Sequence, residues 1–320
     1  MKTIKNLLVF IFVSITLGGV LVGCSKAKYK KTKGGMPYQL FRGKDTQLIQ
    51  AGDYIKIQFT QKIKDSVYFT TVGLLPQYQQ VNVQQSPYDI SELWTSLRVG
   101  DSIVATQMID TFMKRNPQNI PPQFKKGDKI MTYVKILAIF KTDSAARADY
   151  EKGNQEWLAG EVKTIEKFLA DKKITTQKTP SGALVETIIP GTGNLIDSGK
   201  YVSVNYTGTS WSGKKFDSNT DSSFQHMGPL SFVVGTVGAG GMIKGIDEAV
   251  RLMRMGTKAK VYIPSVLAYA GNPGSPLIKP YENLIFDIEV LDIKDKMPVQ
   301  PQMPGQQPQV QQMENPQPNK

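Results

Sequence analysis

The strongest constraint on the fold is an internal repeat. Gly52-Asp53-Tyr54-Ile55-Lys56-Ile57-Gln58-Phe59 aligns without gaps on Gly199-Lys200-Tyr201-Val202-Ser203-Val204-Asn205-Tyr206. Apolar residues at alternate positions mark both as half-buried strands. The same register places Phe69 opposite Phe216. Further on, Ile90, Leu93, Trp94, Leu97 and Gly100 fall opposite Ile246, Ala249, Val250, Met253 and Gly256. Each apolar set recurs at i, i+3, i+4 and i+7, one face of a short helix, with a glycine where the helix stops. The closing strands correspond as well, 130–139 with 284–293. A chain of 320 residues, 40% of them apolar, has room for two cores. The expectation is two copies of one α+β fold, at 36–142 and 177–296.

Between the copies, 145–173 has a helical pattern. Leu158, Val162, Ile165 and Leu169 form a stripe, with Glu161, Lys163, Glu166 and Lys167 elsewhere around the helix. This predicts a helical linker over 143–176. The stripe can serve a spacer packed on its neighbours or the seam of a homodimer. It covers too few turns for a self-sufficient coiled coil, which favours the spacer.

The N-terminus carries an address. Lys2 and Lys5 precede an apolar run from Leu7 to Leu21, then Leu21-Val22-Gly23-Cys24, which reads as a secretory signal over 1–23. Small residues before the chain's only cysteine resemble a bacterial lipobox, with Cys24 lipidated as the mature N-terminus. The run is short for a membrane span. Five lysines and no acid lie in 26–33, and the formal charge of +12 falls to +10 without Lys2 and Lys5. In an exported, lipid-anchored chain this basic segment, 24–35, reads as a tether near anionic headgroups rather than a nucleic-acid arm. Ser25-Lys26-x-Lys28 resembles the start of periplasm-facing lipoproteins, so the expected place is the cell envelope, at the outer membrane. At the other end, 297–320 is rich in Pro and Gln and lacks apolar periodicity, the composition of a disordered tail.

The second copy carries an ordered set of landmarks. Val202-x-Val204-x-Tyr206-Thr207-Gly208, Phe216-Asp217-Ser218 and Phe232-x-x-Gly235 come first. Met242-Ile243-x-Gly245-Ile246, Met255-Gly256, Ala268-Tyr269 and Asn283-Leu284-Ile285-Phe286-Asp287 follow. In this order over about ninety residues they resemble the FKBP-type peptidyl-prolyl isomerases. The resemblance implies an antiparallel half-open β-sheet wrapped on a short α-helix, and cis/trans isomerisation of X-Pro bonds in proline-containing polypeptide clients. It implies an apolar pocket built from Phe216, Leu230, Met242, Ile243, Ile246, Ile278 and Phe286, with Tyr206, Asp217 and Tyr269 as its polar, catalytic members. Tyr269 would donate to the carbonyl before proline, Asp217 would orient Tyr206, and the Ile243 backbone N–H would anchor the peptide. Two positions depart from the commonest pattern. Ile246 stands where a tryptophan usually forms the floor and Leu230 where a phenylalanine is usual, which predicts a shallower pocket and weaker turnover.

By the same mapping the first copy has lost its site. Phe59 stands for Tyr206, Thr70 for Asp217 and Thr132 for Phe286, and 109–124 offers no counterpart of Ala268-Tyr269. It reads as a degenerate copy for client holding, dimerisation or spacing. A non-catalytic envelope chaperone built on the same fold is therefore the alternative function.

Other chemistries find no support. The only histidine, His226, lies in a polar stretch and reads as exposed loop. No His/Asp/Glu cluster has metal-ligand spacing, and no Ser or Cys has a base to activate it. Gly238-x-Gly240-Gly241 lacks the Lys-Ser/Thr pair of a phosphate loop. No metal, cofactor or nucleic acid is expected.

Overall fold

The computed structural model describes residues 28–115, 124–238, 242–273 and 275–297. The stretch expected as a secretory leader, Cys24 and the stretch from 298 expected as a tail lie outside them. Among the described residues, no helix is long and apolar enough to cross a membrane. Two compact units divide the chain at Thr142, with Val72–Pro76 grouped with the second.

The first unit contains β1 (Lys30–Lys31), β2 (Pro37–Phe41), β3 (Tyr54–Ile63), β4 (Ser66–Thr70) and β5 (Gln77–Gln80). A 3-10 turn over Ile90–Ser96 precedes β6 (Ser102–Met108), α1 (Ile109–Arg115) and β7 (Lys129–Phe140). The sheet runs β1-β2-β6-β7-β3-β4, with β5 also on β3. Lys30 and Lys31 thus leave the stretch expected as tether and pair with Tyr38 and Pro37.

The second unit opens with α2 (Asp143–Asp171), capped by the Thr142 side chain. Then come β8 (Gln177–Lys178), β9 (Leu184–Ile189), β10 (Tyr201–Ser210), β11 (Lys215–Ser218) and β12 (Leu230–Val233). The short helix α3 (Lys244–Val250), β13 (Lys258–Ile263) and β14 (Leu284–Lys294) complete it. Its order, β8-β9-β13-β14-β10-β11 with β12 also on β10, is that of the first sheet. Both are antiparallel sheets folded over one short helical turn, the α+β class expected.

The repeat holds in detail. On β3 the pairing with β7 slips after Lys56, and on β10 the pairing with β14 slips after Ser203, the same third residue of the strand. Glu92 binds Thr32 and Gly34 of the first β1–β2 turn, and Glu248 binds Ser181 of the β8–β9 turn. Each latch ties the opening hairpin to the helical turn under the sheet.

One part of the expected register is corrected. The β3–β4 connection is the two residues Lys64 and Asp65, both at positive φ, the pattern of a tight type I′ hairpin. In the β10–β11 connection the Ser210 N–H bonds to the Lys214 carbonyl, so the closed loop holds three residues, one more than in the first hairpin, and uses Gly213 at φ 84. A gapless register therefore slips by one beyond the turn. Thr71 and Asn219 are the true equivalents: each accepts the backbone N–H of Phe59 or Tyr206. Phe69, rather than Thr70, takes the place of Asp217, and Tyr68 takes that of Phe216.

The two cores differ where the site would be. In the second unit, Phe216, Ile246, Ile278 and Phe286 are buried in one cluster with Val202, Val204 and Ile263. In the first, Tyr68 is 67% exposed, and Thr132 replaces the ring of Phe286. The Thr132 hydroxyl is buried without a hydrogen-bond partner. Thr132→Val removes that desolvated hydroxyl and keeps the shape, so it should stabilise the first unit by about 1 kcal/mol. Amide hydrogen exchange along β7 reads this directly; faster exchange in the variant would show that the hydroxyl contributes.

The helix α2 buries its stripe within its own unit. Ile165 and Leu169 pack with Leu184 and Tyr262, Phe168 lies 4.8 Å from the Trp211 ring, and Leu158 and Val162 face the hairpin below. The apolar face that could have formed a dimer seam is covered. Farther back, Trp157 meets Tyr281 edge-on at 5.3 Å. Tyr281 in turn donates its backbone N–H to Ala270 and lies where a Gly271 side chain would go. The helix thus supports the loop that carries Tyr269.

Candidate functional site

The centre of the site is a bulged hairpin. On β10 and β11, Thr207 pairs with Ser218 and Gly208 with Asp217, and Phe216 is the extra residue of the bulge. That turns the Phe216 ring under the sheet while Asp217 stays at the rim. Gly208 makes the space. A Cβ there would lie 2.6 Å from Phe216 and 3.0 Å from Phe286. Both rings therefore press on bare backbone and meet edge-to-face at 5.6 Å. The first unit has Gln61 at this position, which closes that space and leaves Tyr68 outside.

Polar groups gather on one side of the apolar floor. The Tyr206 hydroxyl donates to Asp217 Oδ2 at 2.7 Å. His226 Nε2 lies 2.7 Å from Asp217 Oδ1, and because a carboxylate only accepts, Nε2 carries the proton. Burial, then the hydrogen bond to Asp217 and its charge, hold the Tyr206 phenol well above its ordinary range. Burial and the Asp217 charge also raise Tyr269. Both phenols remain protonated donors at any physiological pH. No described residue accepts from the Tyr269 hydroxyl.

The remaining residues predicted for the pocket converge here. Ile246 and Ile278 are buried in the cluster of Phe216 and Phe286, and Tyr206, Leu230, Met242, Ile243 and Tyr269 are half-buried against it. Ile243 caps α3 with extended backbone, and no described residue accepts its N–H. The helix approaches β13 so closely that a Gly245 side chain would strike Ile263, which accounts for the glycine in that motif. Asp247, nearly fully buried, accepts the N–H of Gly235 and pairs with Arg251, so the Phe232-x-x-Gly235 turn is tied to α3. Asn283 receives the Ser265 N–H and so sets the start of the loop before Tyr269.

Two residues escaped the sequence reading. His226 was expected as exposed loop, and so it is, with its side chain half-exposed; what was missed is its bond to Asp217. Asn219 was passed over, yet its side chain receives the Tyr206 N–H and donates to Val204 and Gly228. A polar Asn directly after Phe216-Asp217-Ser218 was a usable signal for the second. Nothing local signalled the first, because its contact spans a turn of irregular backbone.

In the first unit the equivalents of Tyr206 and Asp217 are two rings, Phe59 and Phe69, at 6.0 Å. Residues 109–115, where a Tyr269 counterpart would lie, form α1.

Residues 193–291 match the family model of the FKBP-type peptidyl-prolyl cis-trans isomerases. The FKBP-type peptidyl-prolyl cis-trans isomerase FkpA of Escherichia coli strain K12 is 35% identical over 154 residues, 48% of this chain and 53% of that protein. The chain thus spans about half the length of that relative. An FK506-binding protein of Neisseria meningitidis is 37% identical over 112 residues, 35% of this chain and 96% of its own. The crystal structure of FkpA from Escherichia coli covers 47% of this chain and 69% of its own at 29% identity, with a TM-score of 0.34. With nearly the whole length of the Neisseria protein covered at that identity, the chain belongs to the FKBP-type peptidyl-prolyl cis-trans isomerase family.

Proposed function

We propose that the second unit catalyses cis/trans exchange at X-Pro bonds. The observation that carries this reading is a set of protonated phenols, Tyr206 and Tyr269, beside Asp217 at the edge of an otherwise apolar floor. Rotation about X-Pro faces a barrier of ~18–20 kcal/mol and takes tens to hundreds of seconds unaided. Turning C–N needs no nucleophile. The twisted amide loses its resonance and part of its carbonyl polarity, so an apolar floor receives it better than the planar form. Phe216, Phe286 and Ile246 take the proline ring, the Ile243 N–H anchors the chain, and Tyr269 donates to the carbonyl before proline. Lowering the barrier by ~5–6 kcal/mol gives ~10⁴ in rate. Burying one side chain contributes only ~1.5–3 kcal/mol, so peptides bind weakly.

Substrates are exported polypeptides, and the protein acts in the cell envelope, anchored through lipidated Cys24. The leader and cysteine in the sequence support this. Metabolic palmitate labelling that disappears in Cys24→Ala tests it; unlabelled wild-type protein would end the anchor reading.

The test of the activity is exchange spectroscopy on a short X-Pro peptide with the full chain. Acceleration by orders of magnitude over the uncatalysed rate is expected. A folded chain that leaves the exchange rate unchanged would overturn the isomerase reading. It would favour the second one, a holding chaperone, for which the exposed Val67 and Tyr68 of the first unit offer apolar surface.

A further inference from the structure

We propose that His226 is a positioning residue for Asp217, delivered by a loop that the first unit lacks; this rests on the isomerase reading above. A carboxylate on a single torsion has a broad, two-fold preference and turns easily. Asp217 is one-third exposed and has no enclosing core to stop it. Its orientation is instead set from both sides, since Tyr206 takes Oδ2 and His226 takes Oδ1, each at 2.7 Å. Losing either contact frees the carboxylate to rotate and the Tyr206 hydroxyl to leave its place.

The loop is built to deliver the imidazole. Asn219, almost fully buried, donates to Val204 and Gly228 at 2.9 Å each and so pins both ends of the segment to β10. Asp221 caps the 3-10 turn Ser222–Phe224 and holds Lys215 at 2.6 Å. Gln225 then takes the left-handed conformation, φ 59, which turns the chain back toward Asp217 immediately before His226. In the first unit only six residues separate β4 from β5, against eleven between β11 and β12. Where the carboxylate is replaced by Phe69, the segment that would orient it is missing too.

The experiment uses the tag-free full chain, in which His226 is the only histidine and its ring signals need no assignment. Asp217→Ala should move the imidazole proton and nitrogen resonances, whether or not the chain is an active isomerase; unmoved signals would show a free side chain and overturn the proposal. In the exchange assay, His226→Ala should lower kcat/KM about five- to tenfold, mainly through kcat. His226→Gln, which keeps a donor at comparable reach, should recover activity to within about twofold of wild type. In an Asp217→Ala background, His226→Ala should have no further effect. Full activity of His226→Ala, or the same loss in both backgrounds, would overturn the proposal. An inactive wild-type chain would instead overturn the isomerase reading, with the ring signals still deciding whether His226 holds Asp217.

Discussion

Asp217→Ala is expected to lower kcat/KM for X-Pro exchange by about 10- to 100-fold while leaving the second unit folded. A hydrogen bond to a charged group contributes about 1.5–3 kcal/mol, and each 1.4 kcal/mol is about tenfold in rate. The substitution releases the Tyr206 hydroxyl and removes the charge beside Tyr269, so two donors lose their setting at once. Asp217 itself belongs to the rim, and the core beneath it is carried by Phe216 and Phe286. Asp217→Asn should fall between wild type and Ala. Its single oxygen serves either Tyr206 or His226, and its amide nitrogen turns a donor toward the other. Wild-type exchange rates in Asp217→Ala would remove this carboxylate from the mechanism.

Phe286→Ala is expected to cost the second unit about 3–5 kcal/mol, the range for deleting a buried aromatic ring. Phe286 is 3% exposed and meets both Phe216 and Tyr206. The cavity opens directly under Gly208, where no side chain can fall in to fill it. Because the chain holds two units, one melting temperature would blur the effect, and amide hydrogen exchange separates them. Amides of β10 and β14 should exchange faster by orders of magnitude, while those of β3 and β7 keep their wild-type rates. Unchanged protection in β14 would mean that the ring contributes little to this core. The first unit already lives with Thr132 at this position, which shows that the fold persists without the ring while the pocket does not.

Alternation in Tyr54–Phe59 and Tyr201–Tyr206, with the i, i+3, i+4, i+7 stripes and their closing glycines, was enough to read two copies of one sheet-and-helix fold. Those features depend on local periodicity and on burial of one face, which a sequence displays directly. The resemblance carried by the ordered motifs also placed Tyr206, Phe216 and Phe286 in one pocket, because strands paired as in that family carry alternate residues to one face. Turn length was not legible in the same way. A two-residue turn at Lys64 and Asp65 and a longer one at Gly213 differ by one residue, and one residue reverses which side chain faces the core. Hence the exchange of Phe69 for Thr70 as the counterpart of Asp217. The stripe on α2 was plain in the sequence, but its partner was not, since an apolar face states only that it will be covered. Only tertiary structure settled Leu184 and Tyr262 as the cover. His226 marks the limit most clearly. Its bond to Asp217 depends on a left-handed Gln225 and on an Asn219 latch, and neither leaves a periodic trace. The sequence determined which residues of the periodic strands and helices are buried; the turns and irregular backbone between them, fixed by contacts distant in sequence, decided the register beyond each turn and which polar groups meet.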